Sequence, residues 1–397
     1  MGIHLIIIRD TLAGQPISFR YCETKEDLRD AFRFARRNSV LAFDTEATHW
    51  DCYRIGWKLR TFQFGDDTRS YVVPATQRNF ISAVCALPIK WIGHNGNHDK
   101  RSINQWLGYD TKMDVPFETF ILAHHYDPRN RKEGGVNHGL KEQCVARVDP
   151  ESGKWEKALK AHFKTIRVPI PGQYFRSGKR KDQPKDRVAR INEGWSLVDP
   201  RDRTYIAYAG SDPILTYRLA QWYQGKHFFN AELYESDWRI ADVCSRLQIR
   251  GMLHDRKYTA RYVAALTRTI EESSKVLTEF GITSAYATAQ IAECLMDYGV
   301  ELTEKTPTGK WKVDTNLMKA ILAEAKSKPE GREVAYLLRH LLKLKRCSKR
   351  LSAYAGQIQQ SADSMGRIHP SINSLGAVTS RMSVSNPAFQ QLPTKED

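Results

Sequence analysis

The sequence predicts an α/β layer architecture followed by a mainly α-helical region. Three observations predict it. Short β-branched and aromatic runs, separated by turn signals, crowd residues 40–94. Helical periodicity takes over behind them. From about residue 233 the pattern is almost wholly helical. Strands first, with helices packed around them, specify a layered α/β fold. A length of 397 residues suits two or three domains at roughly 100–200 residues each.

Residues 1–22 read as a lead-in strand. The run Leu5-Ile-Ile-Ile8 is too short for a signal segment or a membrane span. Val40-Leu-Ala-Phe-Asp-Thr45 is strand-like, Leu59–Gly65 is a second strand, and Asp66-Asp67 marks a turn before a third at Ser70–Pro74. Together they predict an antiparallel meander. Lys90–His94 is a short fourth strand, and helices follow at about 98–107, 115–126 and 138–147. Residues 150–200 are rich in Lys, Arg, Gly and Pro, with Gly178-Lys-Arg-Lys-Asp-Gln-Pro-Lys185 at the centre, and read as a long exposed insertion or loop. Helix resumes at about 201–225. A long amphipathic stretch covers 233–279, interrupted near Arg250-Gly251 and ended by Gly281. Helices at 287–298 and 314–326 flank the turn-rich Lys305–Lys310 tip, a long helix covers 333–360, and residues 366–397 are extended and polar.

The composition is that of a globular protein, 41% hydrophobic and 27% charged. A formal net charge of +16 favours a polyanionic partner, although solubility alone also accounts for a basic balance. Seven cysteines, with no C-x-x-C pair, indicate reduced thiols in a cytoplasmic protein. His94 and His98 are four apart and His124-His125 are adjacent, but nothing completes a zinc set at zinc spacing.

Asp44 and Glu46 lie two apart on a predicted strand, so both point to one face while Leu41, Phe43 and Thr45 point to the other. Side-by-side carboxylates repel unless a cation sits between them, and hard oxygen ligands suit Mg²⁺ or Mn²⁺. Taken alone, such a pair is usually a solvated face. Asp99 follows a strand–helix junction, where a helix N-cap is the plainer role. Tyr208 and Asp212 share one face of a predicted helix. Three such elements in order are harder to attribute to solvent.

The order Asp44-x-Glu46, Asn95-x-x-x-Asp99 and Tyr208-x-x-x-Asp212 resembles the proofreading 3′→5′ exonuclease of family A DNA polymerases, of the DEDD group (tyrosine-bearing DEDDy type) with an RNase H-like fold. Phe120-Ile-Leu-Ala-His124 and His138-Gly-Leu-Lys141 resemble the segments between the second and third motifs. Asn95 matches the family asparagine, and His98 replaces the usual aromatic residue before Asp99. The resemblance implies two Mg²⁺ or Mn²⁺ ions. Asp44, Glu46 and Asp212 would hold one, Asp44 would also touch the second, and Asp99 would act through its water shell. Tyr208 and Glu46 would align an attacking water, and the product would be a nucleoside 5′-monophosphate.

The C-terminal half extends the resemblance. Arg250–Asp255 and the helical block to about Leu351 resemble the thumb. Thr379-x-Arg381, Ser385-Asn-Pro387 and Gln390-Gln-Leu-Pro393 resemble the stretch that enters the palm, with Ser380 in place of the usual Gly and Gln391 in place of the usual Asn. Arg381 is expected at the minor groove near the primer end. Lys343, Arg346 and Arg350 form a basic helical face that either tracks phosphates or is plain solvated surface. The expected organisation is an exonuclease domain over 23–230, a helical thumb over 231–360 and the start of a palm over 361–397.

The later polymerase motifs of the family are not found in these residues, so nucleotide addition is expected only with a palm and fingers supplied in a longer chain or by a separate polypeptide. The expected partner is DNA, as a single-stranded or frayed 3′ end and as primer–template duplex, in a bacterial or phage-infected cytoplasm. The alternative is a non-catalytic, DNA-gripping subunit of a split polymerase.

Overall fold

The computed structural model describes residues 6–174, 180 and 182–392. Residues 1–5 of the lead-in strand, 175–179 and 181 of the basic stretch, and 393–397, which include the last residue of the Gln-Gln-Leu-Pro motif, lie outside the described residues. The chain divides into two units, Met1–Arg250 with Ile372–Ser383, and Gly251–Ser371 with Val384–Asp397.

The first unit opens with β1 (Ile6–Leu12) and β2 (Gln15–Tyr21), an antiparallel hairpin. Its turn is made by Ala13 and Gly14, both at positive φ. Helix α1 (Lys25–Arg37) starts at a Thr24–Asp27 capping box. The meander follows as β3 (Val40–Ala47), β4 (Leu59–Gly65) and β5 (Arg69–Pro74), antiparallel throughout. Helix α2 (Arg78–Cys85), β6 (Lys90–Gly93) and α3 (Gly96–Leu107) come next.

Residues 115–126 are not one helix: β7 (Asp114–Glu118) precedes α4 (Thr119–Tyr126). Pro116 is the reason, since it lacks an amide donor and holds Val115 away from the α region. Strands β6 and β7 extend the sheet in parallel, giving the order β1-β2-β5-β4-β3-β6-β7.

The 150–200 stretch is not a loop either. After α5 (Leu140–Arg147), helix α6 (Lys154–Phe163) buries Trp155, Leu159 and Phe163, which recur every four residues. Then come the hairpin β8 (Arg167–Tyr174) and β9 (Pro184–Val188) and helix α7 (Ile191–Leu197). The dense charge of this stretch masks its periodicity in the sequence.

Helix α8 (Arg203–Gln224) is capped by Asp202 and lies against β2, β3, β4 and β5. Helix α9 (Ala231–Arg250) closes the unit. Apolar residues of β3 and β4 pack with α1, α2 and α3 on one face of the sheet, around Leu41, Phe43, Phe62, Phe64 and Trp91. A second core, around Phe19, Trp155, Phe163, Tyr205 and Ile206, covers the opposite face. The period-2 rule therefore decides the site: Leu41 and Phe43 enter the first core, and Ala42, Asp44 and Glu46 face α8.

The second unit is helical, as expected. It holds β10 (Met252–Leu253), α10 (Arg256–Glu279), α11 (Thr288–Asp297), α12 (Thr315–Ala325), α13 (Arg332–Arg350) and β11 (Arg367–Ile368), which pairs with β10. Helix α13 packs along α10 and buries Leu337, Leu338, Leu341 and Leu344. It continues through a π turn at Leu351–Ala355. Among the described residues, no helix is long and apolar enough to cross a membrane.

Helix α8 reaches the sheet because Gly210 has no side chain. A Cβ there would lie 2.8 Å from the Phe19 Cβ. Gly210→Ala is predicted to destabilise the unit by about 1–3 kcal/mol, measured by chemical unfolding. An unchanged midpoint would show that the helix has room to shift.

Candidate active site

Asp44 and Glu46 come from β3 and Asp212 from the middle of α8. One carboxylate oxygen of each lies within 4.8 Å of the others. Opposite oxygens around an octahedral Mg²⁺ are separated by about 4.2 Å, twice a ligand distance of about 2.1 Å. Like charges at this spacing in a buried place need positive charge among them. The Lys141 ammonium of α5 supplies one, pairing with Asp212 Oδ1 and lying 4.9 Å from the Tyr208 ring centroid. Among the described residues, no other group of three acidic, His or Cys side chains converges in this way. An all-oxygen donor set with one ammonium against three carboxylates fits a divalent cation.

The remaining contacts position these groups. Gln63, opposite Asp44 on β4, donates from Nε2 to Asp44 Oδ2 at 2.8 Å. Ser211 donates to Asp212 at 3.1 Å. Asp99 is not a helix N-cap; Asn95 takes that position, at φ +62°. Asp99 Oδ1 instead accepts from the Thr45 backbone amide at 3.1 Å and its hydroxyl at 2.6 Å. Asp99 therefore approaches from the α3 side and stands beside the cluster of three, outside it. The start of α3 is clasped by buried Glu118, whose two oxygens accept from the Asn95 and Gly96 amides at 2.6 and 2.7 Å. Glu118 went unremarked in the sequence because nothing local distinguishes it.

Burial is the main cause of every shift here. It pushes Asp44 up to about 6, opposed by Lys141 and Gln63. It raises Glu46 and Asp99 well above the carboxylate range, and Asp44 adds to both. Burial lowers Lys141 to about 8 against the pull of Asp44, and it raises the Tyr208 hydroxyl, with Glu46 adding. It also lowers His94 and His98 to about 4, so both are neutral. His94 is held by the Thr119 hydroxyl and the His138 carbonyl, and His125 by Asp237.

Beside the carboxylates opens a cleft of about 390 Å³ lined by Glu46, His49, Trp50, His98, Trp195 and Tyr208 among others. Trp195 lies 5.2 Å from Tyr208, ring to ring. Phe120, Leu122 and Tyr126 of α4 do not line it. Phe120 packs on His94 and His138, Leu122 is in the core, and Tyr126 packs on Trp222. The aromatic wall comes instead from the β3–β4 loop and from α7 within the basic stretch.

Of the other expected residues, Asn95 is exposed at its cap. Lys343, Arg346 and Arg350 lie on α13 of the second unit, with Lys343 and Arg346 exposed. Arg381 is exposed in the 372–383 segment of the first unit. Its neighbour Ser380 sits at φ +56°, the left-handed conformation that suits the usual Gly, and its hydroxyl meets His124 Nε2 at 3.2 Å.

Residues 19–159 match the 3′-5′ exonuclease family model, and residues 254–397 match the model for DNA polymerase family A. The DNA polymerases of Mycobacterium phages D29 and L5 are each 28% identical over 403 aligned positions. The chain thus carries a 3′-5′ exonuclease segment followed by a segment of DNA polymerase family A. The alignments cover 99% of this chain but 62% of each phage relative, so the chain spans less than two thirds of their length. A solved structure titled as the POL domain of Pol1 from M. smegmatis, in complex with DNA primer-template and dNTP, shares the fold at 15% identity and a TM-score of 0.59. It covers 95% of this chain and 56% of that one. The first unit thus carries an RNase H-like 3′-5′ exonuclease domain, which implies dependence on a divalent cation.

Asp44 gives a testable consequence for the metal-free protein. Below about pH 4 it is protonated folded and unfolded alike. As pH rises to about 6 the unfolded chain releases the proton while the folded chain keeps it. The Asp44 contribution to stability therefore falls across this window and is fully lost above it. Asp44→Asn is predicted to stabilise the metal-free protein at pH 7 by up to about 3 kcal/mol and to flatten the fall. Unfolding in EDTA across pH 4–8 measures this, and equal curves for both proteins would refute it.

Proposed function

We propose that this chain is the editing portion of a family A DNA polymerase and removes 3′-terminal nucleotides from DNA as 5′-monophosphates. The observation that carries this reading is the convergence of Asp44, Glu46 and Asp212 beside an aromatic cleft that Glu46 and Tyr208 line. In this reading the three carboxylates hold one Mg²⁺ or Mn²⁺ ion. Asp44 also serves a second, and Asp99 acts from its place on Thr45. Two such ions supply Lewis acidity to the scissile phosphate and to the departing 3′ oxygen.

The protein's own groups do the positioning. The Tyr208 hydroxyl and a Glu46 oxygen orient the attacking water in line with the terminal phosphorus. Glu118 and Thr45 hold Asp99, and Gln63 fixes the rotamer of Asp44. Trp50 and Trp195 give the terminal base apolar surface.

The substrate in this proposal is a single-stranded or frayed 3′ end. The exonuclease domain spans about 23–230, a thumb about 231–360, and the start of a palm 361–397. Lys343, Arg346 and Arg350 meet primer–template phosphates, Arg381 reaches the minor groove, and Asn95 serves the DNA end. The setting is the cytoplasm of a phage-infected bacterium.

A 5′-labelled single-stranded oligonucleotide should shorten from its 3′ end in Mg²⁺ or Mn²⁺. Asp44→Ala with Glu46→Ala should slow this at least about 10³-fold. Equal rates for the double variant would sink the proposal.

A further inference from the structure

We infer that the β8–β9 hairpin is a phosphate-tracking arm for the single strand behind the nucleotide in the cleft, an inference that rests on the exonuclease reading. Between Lys164 and Arg190 the sequence holds nine Lys and Arg against two Asp, so 9 − 2 = +7 of the net +16 lies in this short stretch. Strand β8 is largely solvent-exposed, β9 is half-buried between exposed ends, and neither buries a core residue. A two-stranded ribbon of this kind contributes little to folding, so its surplus of charge has no structural role in a core.

The charge is arranged in two ways. Arg187 pairs with Glu193, and Arg180 with Asp186. Among the described residues, Lys164, Arg167 and Lys185 form no direct salt bridge, although Arg167 also acts on Asp186. Lys164 and Arg167 are exposed, Lys185 is half-buried, and Tyr174 at the end of β8 is 56% exposed. Cations open to solvent in whole or in part and interleaved with an aromatic ring suit a polyanion that also offers bases to stack on, which is single-stranded nucleic acid.

The hairpin is also fixed to the cleft. The Ala189 amide donates to the Ile166 carbonyl at 2.9 Å and closes its base. Arg187 donates to both Glu193 oxygens, at 2.7 and 2.6 Å, and so ties β9 to α7. Helix α7 supplies Asn192 and Trp195 to the cleft wall. Its far end is held by the Arg60 guanidinium, which donates to the Trp195 and Val198 carbonyls. A strand of eight residues spans roughly 26 Å, a path well beyond one nucleotide. A strand whose 3′ end lies against Trp195 thus meets the arm with its upstream phosphates.

The test uses the full chain with Lys164→Ser, Arg167→Ser and Lys185→Ser combined. Binding of a twenty-nucleotide oligothymidylate is followed by fluorescence anisotropy in EDTA over a range of salt. We expect about tenfold weaker binding near 0.1 M salt and a log–log salt slope shallower by about 2, since each lost single-strand contact removes about 0.7. Lys164→Arg, Arg167→Lys and Lys185→Arg combined should bind as the wild type does. With metal restored, cleavage of a trinucleotide, too short to reach the arm, should keep the wild-type rate.

Unchanged affinity and slope in the Ser variant would overturn the arm. So would equal weakening by the charge-preserving variant, or a trinucleotide rate that falls as far as the long-strand affinity. Because binding is read without metal, a wild-type protein that grips the strand but never cuts it would count against the exonuclease reading and leave the arm standing.

Discussion

Three carboxylates, two from alternate positions of one strand and one from the middle of a helix, share a space too small and too buried for their charge. Most of the first unit is arranged around that constraint. The sheet fixes the spacing of Asp44 and Glu46, and helix α8 must lie close enough to bring Asp212 to them. That closeness depends on Gly210 against Phe19. The remaining contacts then answer the charge. Lys141 offers an ammonium to Asp212, and Gln63 offers an amide to Asp44. The raised carboxyl groups measure how incompletely those partners offset burial. A protein that retains such a cluster beside a cleft has a use for a cation there.

The fourth acid is handled differently. Asp99 reaches the same strand from the opposite face and is satisfied by Thr45, the residue between the other two acids. Thr45 therefore links the two faces of the sheet at the site. Glu118 fixes the helix that carries Asp99 by capping its first amides. The clasp is buried and bidentate, so rotation of α3 would leave two amides and a carboxylate unpaired. A rigid second layer of this kind is what precise positioning of a reacting phosphate requires.

The features legible in the sequence were those with a short period. Alternation placed Asp44 and Glu46 on one face, four-residue spacing joined Tyr208 to Asp212, and turn signals gave the β3–β4–β5 meander. Contacts between distant residues were not legible. Thr45 and Asp99 are 54 residues apart and Glu118 and Gly96 are 22 apart. No local pattern announces either pair. Strand β7 was hidden by helical periodicity in 115–126, with Pro116 the overlooked signal. Helix α6, the hairpin and α7 were hidden by charge, although Trp155, Leu159 and Phe163 kept helical spacing throughout. Trp195 was lost with them, and with it one wall of the cleft.

The basic stretch thus belongs to the site's architecture, and the acids remain its centre. Metal binding is the most direct measure of that centre. Isothermal titration of Mn²⁺ at pH 7.5 into the wild-type chain and into Glu46→Gln compares the cluster with and without one of its charges. Saturable binding to the wild type, weakened at least about tenfold in the variant, is the predicted result, since one ligand charge contributes at least about 1.4 kcal/mol. Equal binding by both proteins, or none by the wild type, would contradict the claim that these carboxylates are held together for a cation.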